Sequence, residues 1–191
     1  MIPTYIKDIM LSLENKCYYS ALALALALPD MCGAAEWPNK SVGERYIEWF
    51  DAYIGKYNKK ANEGIENEHP WISGEMVYNL RNTFLHQGSP SINSSKIKES
   101  ANQLDGFILV LGDGTKIWDA ALSIGYGEYK YKAMIIEVTY LCHTICNAAQ
   151  WYYEHNAEKF VLNYVALTQE EFFNPEKPNK IRNLNNNYMM S

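Results

Sequence analysis

Arginine and histidine are scarce in this chain: three arginines (Arg45, Arg81, Arg182) and four histidines (His69, His86, His143, His155) in 191 residues. Basic charge is not in surplus either, since the net charge is −5. A broad basic face for nucleic acid needs many Lys and Arg to neutralise phosphates, so that class is excluded. A grip on a few nucleotides, weak and salt-sensitive, is compatible with this charge. The four cysteines (Cys17, Cys32, Cys142, Cys146) have no disulfide-scaffold spacing. Cys142, His143 and Cys146 have the spacing of half a zinc site, but Cys17 and Cys32 match no zinc ribbon or finger, so buried reduced thiols are expected and no metal. Gly112-Asp113-Gly114 lacks the surroundings of a phosphate loop and reads as a turn. The Ala/Leu run before Pro29 has about a dozen apolar residues, too few to span a bilayer. Asp8, Glu14 and the late start of that run also argue against a secretory signal, so a cytoplasmic location and no membrane partner are expected.

What is present reads as one ordinary domain. Apolar residues make up 48% and charged residues 20%, a globular composition, and 15 Tyr with 5 Trp imply large aromatic contact surfaces. Residues 4–28 predict a long first helix ending at Pro29, because Ala and Leu are strong helix formers despite their period-two alternation. Residues 29–40 read as a compact loop, with Asp30 and Glu36 unassigned. Ser41 predicts the cap of a second helix running to about residue 57, with Tyr46, Ile47, Phe50 and Ile54 inward. Arg45 on that helix reads as a phosphate contact, a partner of Glu44 or Glu48, or a surface charge. Residues 58–70 and 89–103 are polar connections. Two short strands, residues 107–111 and 115–118, are expected about the glycine turn as a small hairpin. Residues 128–156 give the longest predicted helix, and the tail from residue 174 is polar.

The stretch that gathers the scarce residues is Leu80-Arg81-Asn82-Thr83-Phe84-Leu85-His86-Gln87-Gly88. Ser73 is a good N-cap and Gly88 stands where a helix stops, so residues 73–86 predict a helix. Met76, Leu80, Thr83 and Phe84 supply its buried stripe. Asn82 and His86 lie one turn apart on a common face. Arg81 and His86 are about 140° apart on an ideal helix, so they converge only through the reach of a long guanidinium and a last turn loosened before Gly88. A histidine can take a proton from a ribose 2′-hydroxyl or return one to a leaving 5′-oxygen. Arginine can hold a phosphate gaining charge. Two readings fit the spacing: a metal-free RNA-cleaving site, or a surface charge and a helix-end cap favoured by the dipole.

Arg-Asn, three residues, then His late in a helix resembles the RNase motif of the HEPN superfamily. Leu-Arg-Asn-x-x-Leu-His-Gln-Gly is similar to one bacterial branch in particular. There it follows segments like Ala27-Leu28-Pro29-Asp30-Met31-Cys32-Gly33-Ala34 and Gly43-Glu44-Arg45-Tyr46-Ile47-Glu48-Trp49-Phe50. The resemblance covers the first half of the chain and the remainder in outline. Together with the elements read above, the expected fold is a mainly α, HEPN-like bundle of about four core helices with a small inserted β-hairpin at about 106–119, in a single domain over 1–173 before the tail 174–191. The resemblance implies a metal-independent endoribonuclease with Arg81, Asn82 and His86 catalytic, no cofactor, and a 2′,3′-cyclic phosphate product. A homodimer with a composite site, RNA as substrate, and a toxin or phage-defence setting with an antitoxin or regulator follow as expectations. Gln87-Gly88 departs from the His-x-Tyr ending of some HEPN toxins, so control through a modified tyrosine is not expected. The alternative functions are a non-catalytic nucleotide- or RNA-binding HEPN module and a structural dimerisation domain.

Overall fold

Pro29 starts a helix instead of ending one. In the computed structural model, which describes residues 1–61, 72–87, 104–114, 121–126, 129–160 and 168–169, Pro29 lies in the first turn of α3 (Leu28–Glu36). Of residues 59–61, 86–87, 121–126 and 129–130 it describes the backbone alone. A first-turn proline lacks only an N–H that the helix would leave unpaired, and Asp30 beside it favours the same helix end. The expected loop over 29–40 is thus mostly helix. The expected single helix over 4–28 is two, α1 (Ile2–Glu14) and α2 (Tyr18–Ala25). The break falls at Lys16, which adopts a left-handed φ of 57°. Asn15 reinforces it by donating its side-chain amide to the Leu11 carbonyl at 2.7 Å.

Ser41 opens α4 (Val42–Phe50) through a capping box, its hydroxyl accepting from the Glu44 amide while the Glu44 carboxylate accepts from the Ser41 amide. The helix runs on through a π turn (Asp51–Gly55) into α5 (Lys56–Ala61). Asp51 then accepts a 2.6 Å hydrogen bond from the Gly74 amide at the start of α6 (Gly74–Asn82). Ser73 caps α6 by accepting from the Met76 amide at 3.2 Å. Gly74 rests on the backbone of Ile47, where a Cβ would strike the carbonyl, so glycine there sets how closely α6 approaches α4. Met76, Leu80 and Thr83 of the expected stripe are buried, with Val77 beside them, and Phe84 packs at the edge of the core.

Residues 129–137 overturn part of the longest predicted helix. They form β3 (Tyr129–Glu137), the centre of a three-stranded sheet. β1 (Gly106–Val110) pairs with it in parallel and β2 (Ala121–Tyr126) antiparallel, in register Phe107 to Met134 and Ser123 to Lys132. β1 therefore pairs with β3, while the second strand expected at 115–118 lies outside the described residues. The tyrosines and isoleucines of 129–136 suit a central strand, and apolar residues continuing into the next helix disguised the boundary. Glu137 ends β3 and caps α7 (Val138–His155), accepting from the Tyr140 amide at 2.5 Å and the Gly112 amide at 3.1 Å. α7 packs against α1, α2, α3 and the first π turn, and so runs through the middle of the helical layer. Around Tyr152 it carries an aromatic cluster of Trp49, Tyr53 and Phe160. The protein is mainly helical with a small sheet, and no described helix is long and apolar enough to cross a membrane.

Candidate functional site

After Asn82 the helix widens. Thr83–Gln87 form a second π turn, and Thr83 supplies a local cause. Its hydroxyl reaches the carbonyls of Asn79 and Leu80, at 2.9 and 3.0 Å, competing with backbone amides for the same acceptors. The widening changes the angular relation between Arg81 and His86. An α-helix separates them by about 140°. An i→i+5 turn advances about 82° per residue, which brings position 86 to within roughly 70° of position 81. The loosened last turn that convergence requires is thus present in the backbone. The imidazole of His86 lies outside the described atoms, as does Gly88.

Arg81 is half-buried and held from several sides. Its Nη1 donates to Asn82 Oδ1 at 3.1 Å, and its guanidinium carbon lies 5.9 and 6.0 Å from the ring centres of Tyr46 and Tyr78. The two rings are themselves paired at 5.2 Å. Flanking aromatics hold the guanidinium plane through cation–π attraction and leave its edge to bind. Its Nε is buried without a hydrogen-bond partner, and no carboxylate pairs with Arg81 among the described residues. The Tyr46 hydroxyl is likewise buried and unpartnered. Burial pushes its phenol well above the ordinary range, while the Arg81 cation pulls the other way and Asp30 adds to the rise. Tyr46 therefore lies within electrostatic reach of both Arg81 and Asp30.

Those two residues share a cleft of about 600 Å³. Its wall combines Arg45, Arg81, Lys159 and Asp30 with apolar surface from Tyr5, Met31, Ala34, Ala35 and Phe160. Arg45 pairs neither with Glu44, which is held by Ser41, nor with Glu48, which is held by Lys40. It donates from Nε to Asp30 Oδ1 at 2.8 Å, joining α4 to α3. Gly33 makes this crossing close: a Cβ there would fall 2.5 Å from the Arg45 carbonyl oxygen. Lys159, from the 3₁₀ turn Ala157–Lys159, donates to Glu36 Oε2 at 2.6 Å, and Tyr152 donates to the same oxygen at 2.7 Å. Lys159 and then Tyr152 hold the Glu36 carboxyl below the ordinary range.

Sequence reasoning placed Arg81 and Asn82 together and left Asp30, Glu36 and Arg45 open. It missed Lys159 and the two tyrosines. A legible sign of the Asp30–Arg45 pair was Gly33, three residues after Asp30 on the same helical face, where a missing side chain admits a neighbouring backbone. Cys32, Cys142 and Cys146 are buried and Cys17 is exposed. Burial pushes the Cys146 thiol up to about 12 and those of Cys32 and Cys142 further. His143 and His155 are exposed, His155 stacking on Trp151 at 4.3 Å. Among the described residues no cluster of three metal-ligating side chains occurs. No family model, no curated protein and no solved structure matches the chain.

Proposed function

We propose that the protein is a metal-independent endoribonuclease of the HEPN type, cutting RNA by attack of a ribose 2′-hydroxyl on the adjacent phosphate and leaving a 2′,3′-cyclic phosphate. The observation that carries this reading is the widened turn directly after Arg81-Asn82, which lessens the angle between positions 81 and 86. In the proposed reaction His86 takes the 2′-hydroxyl proton or protonates the leaving 5′-oxygen, and Arg81 donates to the phosphate as its charge grows. Asn82, by accepting from Arg81 Nη1, orients the guanidinium. Two copies facing each other across their motif helices complete the proposed site. Support for that contact is apolar surface beside the motif, where Tyr19 stacks on Phe84 at 5.9 Å and Leu85 is exposed. A toxin or phage-defence role under a regulator is the proposed setting.

A second reading, nucleotide or RNA binding without cleavage, is favoured by the cleft itself, where Arg45 and Lys159 join Arg81 independently of His86. Incubating labelled RNA in EDTA with wild type, Arg81→Ala and His86→Ala separates the two. The nuclease reading expects both variants to lose about 10²-fold or more of the cleavage rate. RNA binding with no cleavage by wild type would establish the second reading in its place.

A further inference from the structure

The cleft beside Arg81 has the size and chemistry of a ligand site, with few of its donors committed. About 600 Å³ lies inside the range of small-molecule pockets. A guanidinium carries about five N–H donors. Among the described residues Arg45 commits Nε, to Asp30, and Arg81 commits Nη1, to Asn82. Arg45 thus lines the cleft with both Nη groups uncommitted among the described residues, while Asp30 holds its Nε. Among the described residues, Asp30 offsets the Arg45 charge and Glu36 that of Lys159, while no carboxylate pairs with Arg81. The buried, unpartnered Arg81 Nε and Tyr46 hydroxyl behind this wall are costly for a fold to keep unless that polar region serves a ligand. Met31, Ala34 and Ala35 of α3, and Phe160 just after the 3₁₀ turn, add apolar surface to the lining that suits a flat ring.

We propose that this cleft is a single-nucleotide pocket, in which Arg45 and Arg81 share one phosphate and the nucleoside lies against the α3 wall. The choice of a phosphate-bearing nucleotide rests on the RNA reading above. The pocket selects the nucleotide next to the phosphate that Arg81 holds, and makes Arg45 a binding residue for it. A strand entering with its phosphate at the arginines has one base to place, so short RNA suffices and a broad basic face is unnecessary.

The test is calorimetric titration of the purified protein with nucleoside 5′-monophosphates, the matching nucleosides and inorganic phosphate. Wild type is expected to bind at least one monophosphate, with the nucleoside at least tenfold weaker and inorganic phosphate competing. Arg45→Gln is expected to weaken binding at least tenfold. Ala34→Trp, which fills the cleft from α3 one turn after Asp30, is expected to abolish it, and Cys17→Ser to leave it unchanged. Circular dichroism confirms that each variant is folded. No monophosphate binding by wild type, or wild-type binding by both Arg45→Gln and Ala34→Trp, overturns the pocket. Cleavage of RNA without mononucleotide binding sinks this proposal alone. The stated binding pattern without cleavage supports it and sinks the nuclease.

Discussion

Replacing Gly33 by alanine sets two effects of opposite sign against each other. Gly33 lies within α3, where alanine is the better helix former by about 1 kcal/mol. Propensity alone would raise stability. Against it stands the α3–α4 crossing, where the new Cβ would fall 2.5 Å from the Arg45 carbonyl oxygen and 2.9 Å from its carbon, while ordinary contact begins near 3.4 Å. The obstructing atoms are backbone, so α4 itself must recede by about 0.9 Å, which places the cost in the upper half of the overpacking range, roughly 2–3 kcal/mol. The second effect wins, for a net loss of about 1–2 kcal/mol, which lowers Tm by roughly 3–6 °C in a chain this long. Because Arg45 carries the strained carbonyl, the Asp30–Arg45 pair is also displaced, and Gly33→Ala should weaken nucleotide binding along with stability. Thermal melting of both proteins by circular dichroism at pH 7 checks this. An unchanged or raised Tm would refute the close crossing and the cleft geometry that depends on it.

Glu137→Ala removes the cap of α7 and leaves the Gly112 amide unpaired, together costing about 3 kcal/mol; thermal melting should fall by roughly 6–12 °C, and less for Glu137→Gln, which keeps an acceptor. The native protein should react with a thiol reagent at Cys17 alone and expose the remaining three cysteines on unfolding; fast native labelling of Cys32, Cys142 or Cys146 would contradict their burial. The depressed Glu36 carboxyl contributes stability that is present above the unfolded value of about 4.3 and lost as pH falls through its lower folded value. Urea midpoints of wild type and Glu36→Gln should therefore differ most above about pH 5 and converge at lower pH, and a constant difference from pH 2 to 7 would contradict the Lys159–Glu36–Tyr152 arrangement.

The sequence disclosed most where local chemistry has one physical outcome. Ser41 and Ser73 mark helix starts because their hydroxyls satisfy amides that would otherwise be unpaired, and both do so here. The inner positions Tyr46, Phe50, Ile54, Met76 and Leu80 follow from helical period and are buried. It disclosed least where one residue serves two outcomes. Pro29 can follow a helix or begin one, and the choice depends on α3 packing against α4, which no local pattern records. Residues 129–137 form a strand because β1 and β2 flank them, a tertiary fact that overrides helical period. At the site, Arg81 and Asn82 were legible from their rarity and order. The Asp30–Arg45 bond spans fifteen residues and Lys159–Glu36 far more, so both arise only once the helices assemble.

The measurement that tests the central claim most directly uses one oligoribonucleotide in EDTA and the same oligonucleotide with a single 2′-deoxy sugar at the cleaved position. The account predicts cutting of the first to a 2′,3′-cyclic phosphate end, and no cutting of the second at that position. Equal cutting of both, or no cutting of either by the wild-type protein, would contradict it.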